Sequence, residues 1–301
     1  MELSWLTKLR IVAALALGGI GLGLGAWSVV APADPMGVVS VANVTVREAL
    51  YLLAFSFLSG LGGYFVAWPY GRQIGVLTVP AGLAVWAIRS DEIYRIMQDA
   101  PSGLQRARIY ALFPWDSLLW LALIGAGLTG LWVASRVRPT SAAAFRDPLY
   151  DSRPKGRLPL DAAAAVLISL VIGYALVGVL AQGTQLTGAG IATQPTQPGA
   201  AQIVFAVMIA FGVAGFVTGR VLRLGPSWPT AASAGLPVFV GLFYARPNLL
   251  EPLARNYPAT CFLNPVMAIL PIQMVAFGAL GAAAGYWTAV RYEYWRKHQP
   301  A

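Results

Sequence analysis

Charge is scarce in this chain: charged side chains make up 11% of its 301 residues, against roughly a quarter in a soluble domain. Cysteine and histidine are scarcer, with one of each. Cys261 therefore has no disulfide partner within the chain, and the donor sets of haem, zinc, iron–sulfur and copper sites are missing. One histidine also argues against a His-based hydrolase. No Gly-x-Ser-x-Gly, His-Glu-x-x-His, Walker-type loop or Cys-x-x-Cys occurs. The expectation is no metal, no cofactor and no catalytic residue. Cys261 reads as a packed thiol and His298 as a solvated imidazole.

What the chain has is apolar length. Hydrophobic residues are 57% of it and the mean hydropathy is +0.65, the composition of an all-α polytopic membrane protein. A bilayer core about 30 Å thick needs about 20 apolar residues per helix. Eight segments meet that length, near 11–31, 49–69, 73–89, 113–135, 161–182, 200–219, 227–245 and 266–290. The first resembles a secretory signal, with Lys8 and Arg10 ahead of it and Ala31-Pro32-Ala33 behind. Its apolar run exceeds the usual 7–15 residues of a signal core, which favours a retained helix.

Drawn as an up-and-down path, the side holding both termini collects fourteen basic and five acidic residues, a net of +9, while the other side holds seven of each. The positive-inside rule makes the first side cytoplasmic. The expected location is a cell membrane, a bacterial inner membrane, with both termini cytoplasmic. Trp27, Trp68, Trp86, Trp115, Trp228, Trp287 and Trp295 fall near span ends, reading as interfacial belts rather than a base-stacking surface. The basic surplus is assigned to topology and anionic lipid, not nucleic acid.

The chain also resembles itself at a spacing of about 152 to 155 residues. Gly130-Leu131-Trp132-Val133-Ala134-Ser135-Arg136 is answered by Gly285-Tyr286-Trp287-Thr288-Ala289-Val290-Arg291, Ala81-Gly82-Leu83 by Ala234-Gly235-Leu236, and Gly63-Tyr64-Phe65-Val66 by Gly215-Phe216-Val217-Thr218. Ordered matches at nearly constant offset predict two tandem four-helix repeats of the same orientation. Their limits are 1–138 and 158–301, joined by a basic cytoplasmic linker over 139–157. Small residues recur at Gly19 and Gly23, and at Ala126 and Gly130, answered by Gly281 and Gly285. Such faces let helix backbones approach closely, within this chain or against another subunit.

Function is less legible. No ionisable side chain falls at mid-span, which disfavours a proton relay or voltage sensor. Glu48, Asp116 and Asp161 lie at span ends, where the helix dipole accommodates a carboxylate. Pro80 in the third span and Pro229 and Pro237 in the seventh interrupt corresponding helices, and mark either a substrate path or kinks filled by neighbours. Two loops on the far side, Ser90–Leu112 and Arg246–Pro265, carry Arg95, Arg106, Arg108, Arg246 and Arg255, with Arg89 just before the first. Interleaved acids make these lateral ion pairs, the alternative being an anion or partner contact surface. The uncharged loop 182–199 reads as flexible or covered by a partner, and Asn43-Val44-Thr45 matches a glycosylation acceptor.

The leading expectation is a non-catalytic accessory or scaffold subunit contacting membrane lipid and protein partner subunits or further copies of itself. A transporter or channel for a small solute or lipid, lined by the proline-bearing spans, is the second. An enzyme at the outer interface is the third.

Overall fold

The computed structural model describes residues 4–34, 37–100, 102–139, 158–182, 198–256 and 262–297. Nearly all of the linker, most of the uncharged loop, Cys261 and His298 lie outside the described residues. Within them the protein is all-helical, with no strand.

Helix α1 (Trp5–Ala16) starts where the Ser4 hydroxyl caps the Thr7 amide at 3.3 Å, and runs on as a wider π-type coil over Leu17–Leu24. That coil is the segment LGGIGLGL, where glycine permits the departure from α geometry. A short turn, α2 (Trp27–Val30), follows. Helix α3 (Val46–Val66) opens on a reciprocal cap: the Glu48 carboxylate accepts from the Thr45 amide at 2.7 Å, and the Glu48 amide donates to the Thr45 hydroxyl at 3.3 Å. Then come α4 (Gly71–Ile74), a 3-10 turn over Gly75–Leu77, and α5 (Thr78–Arg89). Two short helices, α6 (Ile93–Gln98) and α7 (Gly103–Tyr110), lead into α8 (Phe113–Val137). The second half comprises α9 (Leu158–Leu180), α10 (Ala200–Val221), α11 (Ser227–Tyr244), α12 (Pro247–Asn256) and α13 (Pro271–Lys297). Helix α10 ends on Arg223 in the left-handed region (φ 54), a position glycine more often fills.

Among the described residues, six helices are long and apolar enough to cross a membrane: Trp5–Leu24, Val46–Val66, Gly71–Arg89, Gly103–Val137, Leu158–Leu180 and Ala200–Val221. Their outer faces carry exposed Leu50, Phe55 and Leu58 on α3 and Leu160, Leu167, Val171 and Val179 on α9. Contiguous apolar exposure on this scale suits a lipid environment and not water, so the architecture is compatible with a polytopic membrane protein.

The last two expected spans exist as helices but are less apolar. The reason is in their sequences: α11 carries Ser227, Pro229, Thr230, Ser233 and Pro237, and α13 carries Pro271, Gln273 and a polar last stretch from Arg291. Helix α13 is covered on nearly all sides, from Ile272 through Ala283, by α10, α11, α5 and α8, where its small residues let neighbours close in. Expected limits shift too. The first span begins at Trp5 rather than near 11, because Ser4 supplies the cap. The last begins at Pro271, after a 3-10 turn over Pro265–Ala268, and its helix continues through the expected tail to Lys297. Trp86 is not part of a belt: it is fully buried and donates its indole N–H to the Gly23 carbonyl at 2.7 Å.

Helix α3 lies along α8, and α10 along α13. Both crossings are closed by backbone. A β-carbon built on Gly130 would stand 2.0 Å from the Phe57 carbonyl oxygen, and one on Gly60 would stand 2.0 Å from that of Gly127. In the other pair, Gly285 faces the Gly212 carbonyl at 1.9 Å and Gly215 that of Ala282 at 2.5 Å. The π-type coil packs on α5, and α9 on α11; between the halves, α5 meets α13 and α8 meets α11.

Candidate functional site

Three regions hold the residues that chemistry or recognition would use. The first is around the prolines. Pro229 occupies the third position of α11, where backbone N–H groups have no intrahelical acceptor anyway, and Pro80 stands just after the 3-10 turn over Gly75–Leu77, where the helical path changes pitch. Pro237 lies inside α11 and leaves the Ser233 carbonyl without its usual donor. All three are buried. Pro80 borders a small cavity of about 10 Å³ lined by Gly60, Val79, Ile124, Gly127 and Leu131. Ligand sites run from roughly 300 to 1,000 Å³. Ser56 and Thr78 stand beside this cavity, fully buried, with hydroxyls that find no partner; Ser117 and the Trp120 indole nitrogen on α8 are alike in this.

The second region is the end of the bundle formed by α6, α7 and α12. There Ile93 and Met97 point inward, fully buried, and α7 rests on α12 so closely that the Gly103 amide donates to the Glu251 carboxylate at 2.9 Å. The arginines do not converge. Arg95 pairs with Asp91 at 2.9 Å and Arg255 with Glu251 at 3.3 Å. Arg89 lies over the Trp27 ring at 4.2 Å. Arg246 donates to the Leu242 carbonyl at 3.3 Å, and Arg108 is exposed. Arg106 is buried and donates through Nε to the Ala100 carbonyl at 3.1 Å. A side chain expected at a surface mouth thus closes the α6–α7 turn from inside.

Nearby, the Asp116 carboxylate accepts from the Ser40 hydroxyl at 3.0 Å and from the Val41 amide, tying the segment before α3 onto the start of α8. Sequence reading placed Asp116 at a span end but had no signal for Ser40, 76 positions away. In the second half Tyr174 and Tyr244 share a hydrogen bond of 2.9 Å, and Asn264 donates to Tyr174 at 2.8 Å.

The third region is the opposite end. Here arginines stack on aromatic rings: Arg138 over Trp68 at 3.9 Å, Arg220 over Tyr292 at 4.4 Å, Arg136 over Trp132 at 5.0 Å and Arg10 over Tyr70 at 6.0 Å. The Glu293 carboxyl is held below its ordinary range by its hydrogen bond to Arg296, 2.7 Å away.

Of the expected packing glycines, Gly130, Gly281 and Gly285 are closed against carbonyls of the facing helix, and Gly23 against the Val85 side chain at 2.7 Å. Gly19 is looser, with Val85 at 3.6 Å. The described residues contain no group of three or more His, Cys, Asp or Glu able to hold a metal.

Comparison with protein-family models, with curated proteins and with solved structures finds no match to this chain.

Proposed function

We propose that the chain is an eight-span integral membrane protein made of two four-helix units of like orientation, acting as a non-catalytic accessory or scaffold subunit. Support for the repeat comes from paired contacts. The Gly130–Phe57 and Gly60–Gly127 approaches recur as Gly285–Gly212 and Gly215–Ala282, each shifted by 155 residues at both partners. The contacts between halves are also reciprocal, since α5 on α13 and α8 on α11 exchange under the same shift. An axis along the membrane normal relates such units, and they interlock in one bundle. The surplus of Lys and Arg at the end holding both termini favours a cytoplasmic location for that end and a bacterial inner membrane for the protein.

The observation that carries the scaffold reading is the closed interior. Helices α5 and α13, which would have to line a path, are buried along most of their length and α11 along one face that holds Pro229 and Pro237, and the cavity at Pro80 is too small for a solute. Contacts with partner subunits or further copies then fall to the exposed faces. Extraction in a mild detergent, with mass and identity analysis of what travels with the chain, tests this. A stoichiometric partner is the expected result, and a lone self-oligomer that carries solute flux would sink it.

Transport of a small solute or lipid is the second reading, favoured by the unpartnered Ser56 and Thr78 hydroxyls beside the Pro80 cavity. It requires the joint Pro80→Ala and Pro237→Ala variant to change flux while assembly is intact.

A further inference from the structure

We propose that the turn joining α3 to α4 binds the phosphate of an anionic membrane lipid through Arg10, Arg72 and Arg138. This inference rests on the membrane placement of the bundle and not on the scaffold role.

The turn presents two aromatic rings, Trp68 and Tyr70, two positions apart. Arg138, the residue that follows α8, lies face-on over Trp68 at 3.9 Å, and Arg10 of α1 approaches Tyr70 at 6.0 Å. Arg72 is exposed in the next turn of chain. Arg138 and Arg10, from two other helical elements, thus each lie over a ring of this one turn, and Arg72 follows it two residues on. The geometry is held in place: the Tyr64 hydroxyl donates to the Arg138 carbonyl at 2.6 Å, and Gly71 sits flush against the Tyr64 ring, where a β-carbon would approach to 2.6 Å.

The arginines point to a phosphate. None of the three arginines forms an ion pair with a carboxylate among the described residues; pairs of that kind are at Arg95, Arg255 and Arg296. A guanidinium whose face is stacked keeps its edge N–H groups free, in the planar fork that matches two phosphate oxygens.

The apolar surroundings identify the source as a lipid. Leu9 and Val12 flank Arg10 on α1, and Phe65 and Val66 precede Trp68 on α3, all exposed. A phosphate held at the turn would leave its acyl chains lying along these residues, whereas a free phosphate would make no use of them. Clustered cations at the end of membrane spans are a recognised way to hold anionic headgroups.

The test is native mass spectrometry of the full chain in non-ionic detergent, titrated with phosphatidylglycerol, phosphatidylcholine and inorganic phosphate. Expected is a preference for phosphatidylglycerol over phosphatidylcholine of at least about five-fold, the worth of one guanidinium near the membrane surface. The Arg10→Gln/Arg138→Gln variant loses that preference, and Arg95→Gln/Arg255→Gln at the other end keeps it. If the first variant does not yield folded protein, Arg10→Lys/Arg138→Lys retains charge without the planar edge and should lower the preference several-fold. Equal binding of both lipids, an unchanged preference in the Gln or Lys variant, or displacement by millimolar inorganic phosphate overturns the proposal. Release of the chain from membranes by alkaline carbonate would overturn the membrane placement instead, which separates the two failures.

Discussion

Gly130→Ala is the most direct probe of how the bundle is held together. The new methyl carbon would lie 2.0 Å from the Phe57 carbonyl oxygen, 2.9 Å from its carbon and 3.1 Å from the Leu61 nitrogen. Side-chain carbons do not approach closer than 3.0 Å, and the obstacle is backbone, so α3 and α8 must separate by about 1 Å at their crossing. Overpacking of this kind costs about 1–3 kcal/mol, and alanine returns up to about 1 kcal/mol in helix propensity. A net loss of about 2 kcal/mol follows for a backbone-blocked site. Gly125, on the same helix, has nothing within 4 Å of its would-be β-carbon. Gly125→Ala keeps only the propensity gain, so the two variants should differ by about 3 kcal/mol. Gly285→Ala meets the Gly212 carbonyl at 1.9 Å and should match Gly130→Ala, the two adding in the double variant because the crossings are separate. Unfolding of each protein by sodium dodecyl sulfate in mixed micelles, followed by far-ultraviolet circular dichroism, reads these differences. A Gly130→Ala protein as stable as Gly125→Ala would refute the backbone-contact reasoning.

Three further outcomes are expected. Trp86→Phe removes the buried bond to the Gly23 carbonyl and should cost about 1–3 kcal/mol in the same titration, because the carbonyl is left unpaired; an unchanged midpoint would mean the bond contributes nothing. Asp116→Ala strips the Ser40 hydroxyl and Val41 amide of their acceptor and should speed amide exchange over residues 37–45, measured by hydrogen–deuterium exchange. Exchange equal to that of the parent protein would count against this tie. A cysteine introduced at Lys155, with Cys261 replaced by Ala, should resist a membrane-impermeant maleimide in intact cells and react after lysis, whereas prompt labelling would reverse the orientation.

Long-period features were legible without coordinates. Among the described residues, six of the eight apolar runs fold as helices long and apolar enough to cross a bilayer, and the last two fold as helices of 18 and 27 residues that carry more proline and polar side chains. Gly130 and Gly285 were recognisable as packing positions because small residues recur in matched places, and the facing carbonyls justify them. The arginines of the α6–α7–α12 end were harder. Arg95 and Arg255 sit four residues from acids in helices, a spacing that identifies a lateral pair. Arg106 offered no such mark: it is buried and bonded to a main-chain carbonyl, which no side-chain pattern records.

Composition and the spacing of apolar residues determined that this chain forms long helices, since the cost of leaving backbone groups unpaired in lipid admits little else. The charge imbalance is likewise a property of the linear chain, because each span reverses the side on which the next cation falls. Which helix faces lipid was decided by packing. So were the seating of Trp86 on Gly23, the joining of Asp116 to Ser40, and the gathering of Arg10 and Arg138 over one turn. These contacts join residues 60 to 76 positions apart. No local pattern encodes such a partner, because its energy exists only once the backbones between have closed to contact distance.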